Sequence, residues 1–577
     1  MVTPSISLPL WGRAGWGLAV IERWFLRAGA FVLPLAYWWD TYDRYIIPKL
    51  LLARILVIGL LILFIARALV GQSLAIKRTP LDLPLLAFVA SALLSTLFAY
   101  NQNVAVFGIY SRYDGLLTIL IYVALFWLSV QALSGPGDAR ALLRVLVASG
   151  YLVALIAIVQ SVNDSTTQGV LVPAYGTLGQ KNVLGAFLAM LVPLAYRELT
   201  EADSWSKRVI ALNAITIIGV ALILTLSRSA WLGTAVAAVV LVAGGYRPNL
   251  RLGISLVLIV LVGGLIVGGL WATGTVRTEQ IDQLSAGGDR PAVWRDTLRL
   301  AASRPLLGYG PDNFGLVFPR FQTTYIGPQQ WDKAHAESLQ VASTQGLVGL
   351  ATYILVLAAF IRAFWRGRHR EGAVAIFSAW VAYQVTLQLN FSALAASLPF
   401  WIFAAAAMMS WDDHAPTLPS PASGRGEMRL PSPSIGAKVT AALTIAALTA
   451  LAVVMTVFPY LADSQLRVAA TADFEGRIDL AQAAAAQAHN LAPRESVYAV
   501  EMGNIAFERR EWANAADAYS DAAMLGTYNP LVYRNLALAD RNLGRFAEGR
   551  TAAQKAVELN RFDPANRALL AEFEGHP

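Results

Sequence analysis

A polar interval from Gly274 to Lys333 gives way to hydrophobic sequence at Ala334-His335-Ala336-Glu337. A neutral imidazole near pH 7 can take a proton from a hydroxyl, and Glu337 or another carboxylate can orient it. A histidine that merely caps or borders a helix is the competing reading. Cations stand in the neighbouring polar segments. Arg228 lies between Ser227 and Ser229, where two hydroxyls beside a guanidinium suit a phosphate-sized anion, as opposed to an arginine that only snorkels to the surface. Arg290 stands four residues before Trp294, which places both on one helical face. Arg112 is flanked by Tyr110 and Tyr113, a pattern that an interfacial aromatic belt also explains. Lys181 opens an apolar run after Gly176-Thr177-Leu178-Gly179-Gln180, where backbone amides at a helix start suit an anion and a plain turn serves equally well.

The elements that must hold these residues lie in a membrane. Of the 577 residues, 56% are hydrophobic and 14% charged, a balance that no soluble globular class matches. Apolar stretches long enough to cross about 30 Å of hydrocarbon fall near 17–39, 50–70, 81–99, 115–134, 140–161, 179–196, 207–225, 229–245, 252–273, 336–361, 371–388, 391–411 and 437–460. The fold expected is all-α: a polytopic bundle of about twelve spans over 1–411, a linker over 412–436, one further span at 437–460, and a soluble helical region over 461–577. The net charge of +8 comes from Lys and Arg scattered over short loops, which sets orientation and does not point to nucleic acid. With no cysteine, disulfides and thiolate chemistry are excluded. The N-terminus has no signal peptide of the usual kind, because Arg13, Glu22, Arg23 and Arg27 interrupt its apolar run.

Orientation follows from the loops. Lys77, Arg78, Arg140, Arg144, Arg197, Lys207, Arg208, Arg247, Arg251, Arg362, Arg366, Arg368 and Arg370 fall in one alternating set, which is then cytoplasmic along with the N-terminus. The segments 100–114, 162–182, 226–229, 274–335 and 388–392 fall on the outer face. His335 is the one bundle histidine on that side, with His369 and His414 inside.

Within the long outer interval, Gly287-Gly288 breaks the chain, Asp289 can cap a helix and Pro291 suits its first turn. Trp294, Leu298 and Ala301 then recur at helical spacing, an apolar face for the membrane or the bundle. Pro305-Leu306-Leu307-Gly308-Tyr309-Gly310-Pro311 makes a turn before Asn313.

Beyond residue 460 the chain repeats every 34 residues: Val468, Met502, Leu536; Ala481, Ala515, Gly549; Ala488, Ala522, Ala556; and Leu491, Leu525, Leu559. Small residues at two fixed places in a 34-residue period are the tetratricopeptide signature of an α-solenoid. Pro493 fits the end of the first unit, whereas the next proline is displaced to Pro530. The repeats are expected on the outer side, offering a surface to a protein partner.

In order and topology, Ser111-Arg112-Tyr113-Asp114-Gly115, Gly176-Thr177, Ser227-Arg228-Ser229, Arg290 with Trp294, residues 305–310, and His335-x-Glu337 followed by Gly346-Leu347-Val348-Gly349 resemble the O-antigen ligase and polymerase family over roughly residues 20–411. The resemblance implies a polytopic glycosyltransferase of the GT-C kind. Its members take a glycan from an undecaprenyl-diphosphate carrier on the outer face of the inner membrane, without metal or cofactor, in cell-envelope polysaccharide and lipopolysaccharide biosynthesis. It implies His335 as base with Glu337 beside it, and Arg228, Arg290, Arg112 and Lys181 as donor-diphosphate ligands. Ser227, Trp294, Asn313 and Tyr309 then serve acceptor or structure. Ala336 departs from the family pattern, which often has Asn after the histidine. The acceptor is a glycolipid, a second lipid-linked glycan or a protein. A transporter or flippase predicts polar sites at mid-membrane in paired halves, whereas the polar motifs here gather at one face. A scaffold built around the repeats is the remaining alternative.

Overall fold

Backbone amides in hydrocarbon must satisfy one another, so apolar runs of this length fold as helices. The computed structural model describes residues 10–71, 73–74, 76–246, 250–272, 289–326, 330–411, 428–429 and 434–575. The Gly287-Gly288 break, the first part of the outer interval and nearly all of the 412–436 linker lie outside them. In chain order the first helices are α1 (Leu10–Leu35), α2 (Ile46–Gly71), α3 (Asp82–Leu97), a short α4 (Gln102–Phe107), α5 (Leu116–Ala132), α6 (Pro136–Gln168), α7 (Lys181–Thr200), α8 (Trp205–Leu224), α9 (Arg228–Ala243) and α10 (Leu250–Ala272). After α11 (Arg290–Ser303) and one turn, α12 (Phe314–Val317), come α13 (Glu337–Gly367), α14 (Ala373–Gln388) and α15 (Leu394–Trp411). Apart from helix, the described residues hold one two-residue antiparallel pair, Ser73–Leu74 with Met428–Arg429.

Among the described residues, 7 helices are long and apolar enough to cross a membrane, and shorter apolar helices at Asp82–Leu97, Leu116–Ala132, Arg228–Ala243, Val257–Ile266 and Ala373–Gln388 stand among them. Six of the seven lie in the region expected to hold about twelve spans, and the seventh, Val439–Phe474, is the further span expected after it. The most enclosed are α7 and α15, which carry small residues where neighbours approach. A Cβ at Gly233 of α9 would lie 2.4 Å from Thr386 Oγ1 and 2.5 Å from the Ala382 carbonyl oxygen of α14, so only glycine admits that contact.

α16 (Ile435–Phe474) does not end at residue 460 but runs unbroken for 40 residues. Its last turns pack on α17 (Ile478–Leu491), and the pairs α18 (Ser496–Glu508) with α19 (Trp512–Leu525) and α20 (Pro530–Asn542) with α21 (Phe546–Leu559) follow, closed by α22 (Pro564–Glu574). Helix starts at Ile478, Trp512 and Phe546 keep the 34-residue period. Ala481, Ala515, Ala488, Ala522 and Ala556 are fully buried at the helix contacts, as the small-residue columns predict.

The solenoid rests on the loops around Asp43, Asn103, Tyr110 and Arg320. Asp463 of α16 accepts from the Asp43 amide at 3.0 Å and from the Tyr110 hydroxyl. Asn103 Nδ2 donates to the carbonyls of Arg494 at 3.1 Å and Leu525 at 3.0 Å. Arg320 pairs with Glu558.

Candidate active site

His335 lies at the end of the segment between α12 and α13, two residues before the first residue of α13. Its φ of 52° places a non-glycine residue in the left-handed region, a conformation that costs on the order of 1–3 kcal/mol and persists only where surroundings enforce it. The surroundings are specific. The Ala334 amide donates to Gln340 Oε1 at 2.8 Å, and the Trp294 indole donates to the His335 carbonyl at 3.3 Å. The imidazole is held edge-on between Trp331 and Phe391, each with ring centroids 4.9 Å away. Its Nδ1 is buried and has no hydrogen-bond partner among the described residues. Burial, then the positive charge of Arg290, push the imidazole down to about 4, with Asp332 opposing and Arg112 and Lys333 adding to the fall.

Lys181, Arg228 and Arg290 are the first residues of α7, α9 and α11, so three helix N-termini and three cations meet. Lys181 lies within electrostatic reach of both arginines. Burial and then the Arg228 charge lower Arg290 below its ordinary value. Neither Lys181 nor Arg290 forms an ion pair or side-chain hydrogen bond among the described residues. The α7 start is fixed from beneath by Lys49, whose buried ammonium donates to the carbonyls of Ala36 at 2.7 Å, Tyr45 at 3.0 Å and Thr177 at 2.5 Å.

Other residues named from the sequence take different places. Arg112 donates through Nε to Asp332 at 2.5 Å and lies over Phe391, two of the residues that surround His335. Both Glu337 oxygens accept from Ser392, amide at 2.8 Å and hydroxyl at 2.9 Å, and no hydrogen bond joins Glu337 to His335. Ser227 Oγ donates to Asn182 Oδ1 at 2.9 Å and meets Ser229 Oγ, so the two buried hydroxyls lock the α9 start to α7. Asn313 and Tyr309 brace the loop: Asn313 exchanges bonds with the Asn101 backbone, and the Tyr309 hydroxyl meets Ser303 Oγ at 2.8 Å. Asp289 makes no side-chain cap on α11; its backbone carbonyl accepts from Ala292 and Val293. The buried face of α11 is Val293, Asp296, Thr297 and Leu300, whereas Leu298 is 57% exposed, so the expected Trp294-Leu298-Ala301 face is the outer one.

Three groups escaped the sequence reading. Buried Lys333 donates to Asp114 at 2.7 Å and Asp312 at 2.9 Å, tying three loop segments together beside His335. α13 breaks at Gly346, φ 68°, and the 305–310 turn docks into the break: Leu347 and Val348 amides reach the Pro305 and Leu306 carbonyls, while Tyr309 and Gly310 amides reach Ser343 and Thr344. The Pro-Leu-Leu-Gly-Tyr-Gly and Gly-Leu-Val-Gly motifs are thus two halves of one joint. Next to Lys333 and Glu337 a cavity of ≈ 140 Å³ lies between α3, α5, α13, α14 and α15, apolar at Leu85, Phe88 and Trp401.

Residues 213–354 match the family model described as O-antigen ligase. The chain is 25% identical over 386 residues to an O-antigen ligase of Pseudomonas aeruginosa, covering 64% of this chain and 85% of that protein. Among solved structures, the Arabidopsis OM64 TPR domain aligns at 14% identity and a TM-score of 0.20, over 21% of this chain and 99% of that one. The APC/C hetero-tetramer Cut9-Hcn1 aligns at 10% identity and 0.19, over 90% and 86%.

Proposed function

The membrane region of this chain carries an O-antigen ligase family domain, and from that premise we propose that it transfers a glycan from an undecaprenyl-diphosphate carrier to an acceptor hydroxyl on the outer face of the inner membrane. Glycan transfer in envelope polysaccharide biosynthesis, by a multi-pass inner-membrane protein, is the coarse function of the family. The observation that carries the finer reading is a neutral imidazole with an unpartnered Nδ1, within the field of Arg290, which itself stands in the field of Arg228.

The diphosphate sits among Arg228, Arg290 and Lys181, at the three helix N-termini, where fixed positive charge stabilises the leaving group as it forms. The acceptor oxygen attacks the anomeric carbon from the opposite face. The carbon–oxygen bond to the diphosphate breaks with its electron pair, the new glycosidic bond forms with inversion, and His335 takes the hydroxyl proton. A base so placed contributes roughly 10²–10⁴ in rate. Burial first, and then positive neighbours, make the free imidazole a weak base; the incoming diphosphate offsets the second contribution and raises its basicity as the substrate arrives. Glu337 acts by fixing Ser392, adjacent to the Phe391 ring that holds the imidazole. The N-terminus is cytoplasmic and the repeats outside.

Reconstitution of the purified chain in liposomes with an undecaprenyl-diphosphate glycan tests this reading. Lipid A core, a second lipid-linked glycan and a protein serve as separate acceptors. Appearance of an inverted glycosidic product with one of them supports the transferase; binding of donor with release of no carrier under any condition refutes it.

A further inference from the structure

A 34-residue repeat ordinarily advertises a surface for a partner, yet here the loop between α19 and α20 is occupied by the same chain. Gly526, φ 103°, lies so close to the α4 segment that a Cβ there would stand 2.5 Å from Val104 Cγ2 and 2.9 Å from Asn101 Nδ2. Only glycine meets both demands. Asn101 and Asn103 complete the seam by donating to the Met524 and Leu525 carbonyls at 3.2 and 3.0 Å.

That seam delivers one aromatic side chain. Tyr528 packs into the apolar cluster that includes Phe314, Trp331 and Ala334. A Cβ built on Gly315 would be 3.4 Å from Tyr528 Cγ and 3.3 Å from the Asp332 Cα, so the phenol ring and the Asp332 backbone press on the same glycine. The charges facing the phenol are Asp332, Arg112, Asp312 and Lys333. Asp332 holds Arg112, Trp331 holds the imidazole edge-on, and both precede His335 by a few residues.

We propose that Tyr528, supplied by the repeat region, is a positioning residue for the His335 loop, and that the repeats docked on their own outer loops are the form that transfers glycan. This rests on the base assignment made above for His335. The ring fills the space against Gly315 and the apolar cluster beside Asp332; the phenolic hydroxyl makes no hydrogen bond among the described residues, so the ring and not the oxygen carries the effect.

The test uses the full chain in liposomes. Tyr528→Ala should lower kcat by roughly 10- to 100-fold, as a small misplacement of a catalytic group does, with donor KM within about twofold. Tyr528→Phe should keep most of the wild-type kcat. Loss of the ring also admits water to the loop, so the acid limb of the kcat/KM profile, set by His335 among Arg290, Asp332, Arg112 and Lys333, should move up towards the ordinary imidazole value. Wild-type kcat in folded Tyr528→Ala, or equal losses in the alanine and phenylalanine variants, would overturn the proposal. Tyr528→Leu carries the same comparison if the alanine variant does not fold. In a chain with no native cysteine, Asn103→Cys with Leu525→Cys can be cross-linked across the seam: retained transfer supports the docked form, and loss reversed by reduction contradicts it. His335→Ala run alongside separates the failures. If it keeps transfer the base assignment falls; if it loses transfer while Tyr528→Ala keeps it, only the present inference falls.

Discussion

The indole of Trp294 donates to the backbone carbonyl of His335 at 3.3 Å, and this bond joins the helix that begins with Arg290 to the residue assigned as base. The cation and the base are therefore set by one helix. Trp294→Phe keeps the ring and removes the donor, leaving a left-handed histidine with one restraint fewer. Steady-state assays should find kcat reduced by about tenfold with the donor KM little changed; a change confined to KM would assign the tryptophan to binding instead.

Gly346 makes a comparable demand on the backbone. A Cβ there would stand 2.2 Å from the Leu306 carbonyl oxygen, and its φ of 68° disfavours any side chain. Gly346→Ala should destabilise the protein by at least about 1–2 kcal/mol, visible as a lowered midpoint in thermal unfolding in detergent. An unchanged midpoint would mean the 305–310 turn does not brace α13.

Lys333 is the hub of the outer segments. Lys333→Met leaves Asp114 and Asp312 buried without their cation, a loss of about 3–5 kcal/mol by the behaviour of broken buried pairs. Adding Asp312→Asn should recover part of that loss in the same unfolding measurement, because one uncompensated charge is then gone.

Such pairs explain which parts of the molecule the sequence discloses. Lys181, Arg228 and Arg290 each follow a polar break before an apolar run, and topology alone groups them on the outer face; in the structure they lie within reach of one another. The repeat discloses itself because each unit packs on its neighbours at a fixed period. Arg112 with Asp332 and Lys333 with Asp114 are separated by about 220 residues, and nothing in local spacing chooses those partners over others. Glu337 stands two residues from His335 in sequence, yet the start of α13 turns its carboxylate to Ser392. The kink at Gly346 is hidden because a glycine inside an apolar run reads equally as a small packing residue. On α11 apolar spacing cannot tell a protein neighbour from lipid, and the packed face is marked by buried Asp296, which accepts from the Thr323 amide and hydroxyl.

The pH dependence follows from the sign of the His335 shift. Burial and neighbouring cations lower it to about 4, so the free enzyme keeps a neutral imidazole as pH falls through the ordinary range and loses it only near that value. The acid limb of kcat/KM should therefore lie well below 6.5, and that of kcat, with diphosphate bound, should lie higher. Arg290→Ala removes a lowering charge and should raise the kcat/KM limb. A limb that stays fixed in that variant would detach the histidine from the cation group.

The account stands or falls on His335. Purified wild-type chain and His335→Ala are to be compared in liposomes for transfer from an undecaprenyl-diphosphate glycan, with donor binding measured on the same preparations. The predicted result is donor affinity within about threefold and transfer reduced by roughly 10²–10⁴. Wild-type transfer by a folded His335→Ala chain would contradict the assignment of this histidine as the base.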